Sequence, residues 1–157
     1  MRIQDGRAMS ELRSTGCTVS YYNGWDDEDS TWLEKRLDDC FGRRARSVRW
    51  RGARIQDLSP LQKIADLREV FIFDSHIDDI SPLSQIGTIR HLYLTGSNIE
   101  DLTPLHSLTN LKELNVYRTP ISTVEVDRFA AANPNCSILH PSTDRTKCHH
   151  GNLRPLD

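Results

Sequence analysis

The sequence lacks several features that would assign it to a well-defined functional class. No apolar run approaches the ~20 residues that a membrane-spanning helix needs, and the first residues lack the apolar stretch of a secretion signal. Motifs for phosphate loops, dinucleotide sites, zinc proteases and nucleophile elbows are missing as well. We therefore expect a cytoplasmic protein that does not contact membranes, is not an enzyme and carries no cofactor.

A strong charge of one sign and paired cysteines are also missing. The formal net charge of −2 argues against a surface built entirely for nucleic acid, although a local basic patch is compatible with it. The four cysteines are far apart, so a zinc or dithiol redox site is not expected. The run Cys148-His149-His150 has metal-binding side chains but no second ligand cluster, and we predict no metal site.

What the sequence does contain is an internal repeat. Steps of 22 residues lead from Ala45 to Leu67, Ile89 and Leu111. The blocks that begin there share five apolar columns: Val48, Val70, Leu92 and Leu114; Trp50, Ile72, Leu94 and Val116; Ile55, Ile77, Ile99 and Ile121; Leu58, Ile80, Leu102 and Val124; and Leu61, Leu83 and Leu105, broken at Asp127. Such agreement predicts a solenoid of stacked, similar units.

Each block combines the spacing of a strand with that of a helical turn. In the second block, Val70 and Ile72 alternate with Phe71 and Phe73, which is the period of a β-strand. A Ser-Pro or Thr-Pro pair then precedes two spaced aliphatic residues. The hydroxyl can cap a helical segment, and proline fits its first position. We expect each unit to be a strand, a turn and a short helix or 3₁₀ segment.

The pattern LxxLxLxx[S/T]xIxDLxPLxxLTN resembles the leucine-rich repeat of the internalin and phosphatase-regulatory-subunit type, over about residues 45–140. The resemblance implies an α/β solenoid with a parallel sheet on the concave face, helical segments on the convex face and a protein-binding role. The chain departs from the family at the usual Asn position, which holds Ala53, Ser75, Ser97 and Thr119. Because the side chain of Ala53 cannot hydrogen-bond, we expect a looser first turn.

The two ends are expected to cap the solenoid, because terminal repeats would otherwise expose their core. We assign residues 1–16 to a flexible N-terminus, 17–44 to a strand–helix cap, 45–140 to four repeats plus a closing strand, and 141–157 to a polar tail. Residues 31–34 and 122–125 have the form of helix-starting capping boxes.

The outward side of the predicted sheet carries aromatic and charged side chains. Alternation and the flanking positions place these candidate partner-binding residues there: Arg49, Arg51, Arg68, Glu69, Phe71, Phe73, Arg90, His91, Tyr93, Glu113, Asn115, Tyr117 and Arg118. Exposed rings beside arginine are typical of interface anchors. The alternative is that the N-terminal segment or the tail covers the rings. We interpret His91, between Glu69 and Glu113, as a contact residue, because an open face does not exclude water.

Three functions are compatible with such a face. The first is binding of a protein, since small stand-alone bacterial proteins of this kind resemble immunity proteins that occlude a toxin domain. The second is binding of RNA or a phosphate ligand, with Phe71 and Tyr93 as stacking platforms. The third is regulation of an endogenous enzyme such as a phosphatase. Six arginines in residues 41–54 fit an acidic protein or phosphate, or a solvated edge neutralised by the acidic residues 26–29.

The predicted register can be tested by Leu94→Ala. Leu94 should lie in the core, so its truncation removes buried apolar surface, leaves a cavity and costs roughly 2–5 kcal/mol of unfolding free energy. Denaturant unfolding measures this loss. A loss below about 0.5 kcal/mol would place Leu94 on the outer side and shift the register by one residue.

Overall fold

The computed structural model describes residues 12–13, 15–21 and 45–141. Their main sheet has six strands in the order β1 (Thr18–Tyr21), β2 (Ala45–Arg51), β4 (Glu69–Phe73), β6 (His91–Tyr93), β7 (Glu113–Asn115) and β8 (Ser137–Leu139). β1 is antiparallel to β2, and all later neighbours are parallel. A second, two-stranded sheet pairs β3 (Arg54–Ile55) with β5 (His76–Ile77).

Helical segments return the chain between the parallel strands. Three 3₁₀ helices span Ser59–Lys63, Ser81–Gln85 and Thr103–Leu105, and the α-helix α1 spans Thr123–Ala132. The fold is thus an α/β leucine-rich-repeat solenoid, with a parallel sheet on one face and mainly 3₁₀ turns on the other. No helix in the described part of the chain is long and apolar enough to cross a membrane.

The strand register follows the sequence repeat. Val48 pairs with Val70, Val70 with Leu92, and Leu92 with Leu114, each step being one repeat of 22 residues. These four side chains are fully buried, as are Ile72, Leu94 and Val116. The predicted inward and outward alternation is confirmed.

Aspartate side chains accept the first backbone N–H of each 3₁₀ turn, whereas the sequence predicted Ser or Thr as the cap. Asp57 Oδ1 accepts the backbone N–H of Ser59 at 2.7 Å, and the equivalent bonds join Asp79 to Ser81 and Asp101 to Thr103, both at 2.8 Å. Hydrogen bonds from Ser59 and Thr103 lower the pKa values of the Asp57 and Asp101 carboxyls. Each Asp lies two residues before the residue whose N–H it accepts, and its carboxylate is a charged acceptor for the first free N–H of the turn.

The turn that follows each strand uses a left-handed residue. Gly52, Asp74, Gly96 and Arg118, one repeat apart, have φ values of 63°, 48°, 70° and 58°. The first turn is linked to the next repeat by a backbone group, because the Ala53 N–H donates to Ser75 Oγ at 3.2 Å. The looser turn expected from the Ala53 side chain stays a prediction. Asn98 supplies the amide that the usual position lacks: its side chain accepts from Ile77 N and donates to Ile77 O.

The last repeat departs from the predicted columns at Val124, which is 58% exposed and not in the core. The reason is the longer α1, in which Val126 and Phe129 point inward instead. The capping box predicted at its start is confirmed in its first half, since Ser122 Oγ accepts the Glu125 N–H at 3.3 Å. The closing strand predicted after the helix is also present as β8.

At the N-terminal end, residues from the segment assigned to a flexible N-terminus contact the first repeat. Leu12 is 1% exposed within the core, and the Trp50 indole N–H donates to Thr15 Oγ1 at 3.0 Å. This bond satisfies the polar atom of a buried tryptophan. The predicted cap helix with its capping box at 31–34, the acidic run 26–29 and the Cys148-His149-His150 run lie outside the described residues.

Three glycines offer a graded test of the turn geometry. Gly52→Ala and Gly96→Ala both force an L side chain to a positive φ, which should cost about 1–2 kcal/mol of unfolding free energy. Gly96→Ala should cost more than Gly52→Ala, because its new Cβ would also collide with Asp74 Oδ1. Gly87→Ala is the matched control, since open space surrounds it and its φ is not positive. Chemical denaturation gives the three unfolding free energies. Equal costs for Gly87→Ala and Gly96→Ala would contradict this account of the turn.

Candidate functional site

The outward side chains of the main sheet form rows across its strands, and we call this surface the open sheet face. Parallel pairing aligns each strand residue with its equivalent one repeat later. One row contains Ser47, Glu69, His91 and Glu113, and the next contains Arg49, Phe71, Tyr93 and Asn115. Arg51 pairs with Phe73 in the row beyond. The structure therefore brings most of the predicted partner-binding residues onto one surface.

Three aromatic rings are stacked at the centre of this face. The Phe71 and Tyr93 centroids are 4.8 Å apart with an interplanar angle of 17°, and those of Phe71 and Phe73 are 6.1 Å apart. Arg49 Cζ lies 4.9 Å from the centroid of Phe71. The stacking follows from the parallel register, because adjacent strands lie about 4.8 Å apart. All three rings are partly buried by one another, although they lie on the outer side of the sheet.

Tyr117 does not join this stack among the described residues, although the sequence analysis grouped it with the other rings. β7 ends at Asn115, so Tyr117 lies in the turn that follows and is 46% exposed. Tyr117 is equivalent in the repeat to Thr95, 22 residues earlier, and not to Tyr93. Asn115 Oδ1 accepts the Tyr117 N–H at 3.0 Å and a hydrogen bond from the Thr95 hydroxyl at 3.1 Å. Arg118 follows in the same turn with a left-handed backbone and is exposed.

The arginines of the face fall into two groups. Arg68, the residue before β4, is only 15% exposed at its side chain and contacts Asp66 at 3.4 Å, and the same carboxylate lies 3.2 Å from Arg46. Arg90 occupies the equivalent place before β6, partly buried. Arg49 and Arg51, by contrast, are exposed and form no ion pair within residues 12–13, 15–21 and 45–141.

Acidic groups occupy the row that starts at Ser47. His91 pairs with Glu69 and Glu113 on either side, and its Nδ1 lies 3.7 Å from Glu69 Oε1. Burial raises the pKa of Tyr93 to about 12, helped by the charge of Glu113, a hydrogen bond with its side chain and the charge of Glu69. The Tyr93 hydroxyl therefore stays protonated at neutral pH and acts as a donor. The face is basic at β2 and acidic at its Glu69–His91–Glu113 row.

Sequence reasoning missed two features of the site. Asp66 neutralises Arg68. The equivalent positions in the next two repeats hold Thr88 and Asn110, so no repeated acidic residue indicated this ion pair. The Thr95–Asn115 hydrogen bond was missed because it depends on the distance between adjacent strands. Within the residues that the structure describes, no three His, Cys, Asp or Glu side chains are placed to hold a metal ion.

Neither family models nor curated proteins match the sequence. Among solved structures, the chain is similar to internalin C2 of Listeria monocytogenes, with 29% identity over 55% of this chain and 37% of that one and a TM-score of 0.48. A leucine-rich-repeat protein of Leptospira interrogans is 19% identical over 54% of this chain and 22% of its own, with a TM-score of 0.49. The chain thus spans well under half of either protein.

A further similar structure is the leucine-rich-repeat ectodomain of a receptor kinase from Arabidopsis thaliana. It is 13% identical, the match covers 87% of this chain and 91% of that one, and the TM-score is 0.47.

The electrostatics of the face predict a change in the titration of Tyr93. Glu113→Gln should lower its pKa from about 12 toward, but not to, the ordinary value of 10.0, because burial is the largest cause and remains. Glu69→Gln is the control and should lower it less, since Glu69 contributes least. NMR titration of ¹³C-labelled tyrosine, assigned with Tyr93→Phe, measures both shifts. Equal shifts in the two variants would contradict the geometry.

The same shift has a consequence for stability. A phenol whose pKa is higher in the folded than in the unfolded chain keeps its proton longer when folded, so the protein should lose stability as the pH rises from about 10 to about 12. Tyr93→Phe should remove that part of the loss.

Proposed function

We propose that this protein is a non-catalytic interaction module that binds a protein partner across the open sheet face. The observation that carries the proposal is the stack of Phe71, Phe73 and Tyr93 on the outer side of the sheet, beside two exposed arginines. Aromatic side chains bury ~150–250 Å² each when fully covered, and a standard interface needs ~800 Å² per partner. The rings that remain partly exposed thus supply a substantial share of such an interface.

The stacking geometry favours a protein over single-stranded RNA. Nucleobases bind aromatic side chains by stacking on an accessible ring face. One face of Phe71 is covered by Tyr93, and Arg49 lies over the ring as well. Both faces of Phe71 are thus occupied, so this ring offers its edge to a partner, and ring edges pack against apolar and polar protein side chains.

The charged groups on the face favour binding over catalysis. His91 and Glu69 lie 3.7 Å apart on an open surface, and no described element covers them. General acid–base catalysis needs a positioned proton donor or acceptor with a pKa tuned by its surroundings. Open solvent weakens the electrostatic effects that tune such groups.

The biological setting that we propose is a cytoplasmic protein that occludes a partner, as an immunity protein occludes a toxin domain. An open sheet face with aromatic anchors supports this setting, while the fold alone does not determine it. A toxin-like open reading frame beside the gene would support it directly. The partner can be identified from native lysate, with and without nuclease, followed by mass spectrometry.

The binding face can be tested against the purified partner. Phe73→Ala and Tyr93→Ala together should weaken binding at least ~10-fold, because central aromatic anchors typically cost 2 kcal/mol or more on truncation. Isothermal titration calorimetry measures the affinity, and the melting temperature of the double variant should be nearly unchanged.

The matched controls lie on the convex side. Gln62→Ala and Gln85→Ala remove exposed side chains of the first and second 3₁₀ helices and should leave affinity unchanged. Loss of binding in these variants, with the aromatic variants binding normally, would place the interface on the convex face and end the proposal. Binding that disappears after nuclease treatment would identify RNA as the partner.

A further inference from the structure

We infer that the partner of the open sheet face is an acidic protein segment, whose carboxylates bind Arg49 and Arg51 while its apolar side chains pack on the aromatic stack. The inference rests on the proposed function and adds the chemistry of the partner. It also gives the complex an orientation, because the two arginines lie on β2, next to the aromatic strand β4.

Arg49 and Arg51 differ from three other arginines near the face, because those three form ion pairs within the described residues. Arg46 and Arg68 share Asp66, at 3.2 and 3.4 Å, and Arg54 lies 4.0 Å from Asp78. Arg49 and Arg51 are exposed, and neither has an ion pair within the part of the chain that the structure describes. A partner that covers them must supply negative charge, since burying a charge without a counter-charge is costly.

The geometry around Arg49 suits carboxylate recognition. Its guanidinium lies over Phe71, with Cζ 4.9 Å from the ring centroid. Contact with the ring restrains a long side chain and leaves its N–H groups for hydrogen bonds, so less entropy is lost when a carboxylate binds. Guanidinium and carboxylate groups match in a planar, bidentate arrangement.

The two arginines also have a defined spacing. They are two residues apart on the same face of one strand, which corresponds to roughly 6.6 Å. An extended segment with acidic residues at alternate positions matches this distance. Two acidic residues one helical turn apart, at about 5–6 Å, come close to it. Apolar side chains beside them would reach Phe71 and Phe73, which pair directly with Arg49 and Arg51.

The acidic row of the face restricts the orientation of such a segment. Glu69 and Glu113 lie in the row adjacent to that of Arg49. Partner carboxylates placed over that row would meet like charges and be disfavoured. The carboxylates of the segment are therefore drawn to the Arg49 and Arg51 positions.

A display library of random 12-residue peptides is the probe for this chemistry. Selection on the full-length protein, with depletion on the Arg49→Glu/Arg51→Glu double variant, should enrich peptides that combine Asp or Glu with apolar residues. The synthetic form of the most enriched peptide is then titrated by fluorescence anisotropy. We expect Arg49→Ala/Arg51→Ala to weaken its binding about tenfold or more and added salt to weaken it further.

Two matched variants define the control. Arg128→Ala removes one positive charge from the exposed side of α1, where the double variant removes two from β2, and should leave the affinity unchanged. Replacing the acidic residues of the peptide by Lys should abolish binding to the original protein and restore it on the Arg49→Glu/Arg51→Glu variant. Circular dichroism melting confirms that the exposed substitutions leave the fold intact.

The outcomes separate this inference from the proposed function. Peptides without acidic residues that lose binding in Phe73→Ala/Tyr93→Ala but not in Arg49→Ala/Arg51→Ala would overturn the acidic partner and leave the binding face in place. Peptides insensitive to both pairs would overturn both. Failure to enrich acidic peptides, together with arginine-dependent binding of a 12-nucleotide single-stranded RNA, would overturn the inference in favour of a nucleic acid.

Discussion

Parallel pairing of successive repeats is the constraint on which the other features of this molecule depend. Each strand residue pairs with its equivalent one repeat later, so a column of the sequence becomes a row on the sheet. Inward rows of Val and Leu fill the core, and outward rows set Arg49 beside Phe71 and Phe71 beside Tyr93. A slip of one residue would exchange the two sides along every strand.

Polar side chains also bond backbone groups within the turns and between neighbouring repeats. The 3₁₀ turns connect successive strands, and the first backbone N–H of each turn is bonded by Asp57, Asp79 or Asp101. Three residues before Asp101, Asn98 bonds both backbone groups of Ile77 and so links its repeat to the one before. These bonds satisfy backbone groups that the short 3₁₀ and turn segments leave free.

Arginine has two roles at the open sheet face, depending on whether an acidic side chain lies beside it. Asp66 holds Arg46 and Arg68 at the start of adjacent strands, where their charges are neutralised. Arg49 and Arg51 lack such a neighbour among the described residues and stay exposed. These exposed guanidinium groups beside the stacked rings are the features from which we propose a partner with both carboxylates and apolar side chains.

The repeat, the strand positions and the side that each strand residue faces could be predicted from residue types alone, because burial at a period of two and a step of 22 residues selects apolar residues at regular positions. The sequence also located the aromatic and arginine residues of the candidate face. Tertiary structure decided which of these touch. Tyr117 fell outside the stack because β7 ends before it. Arg68 forms an ion pair with Asp66. Val124 is exposed because a full α-helix takes the place of the 3₁₀ turn in the last repeat. Such outcomes depend on strand ends, helix length and distances between repeats, which a linear pattern does not encode.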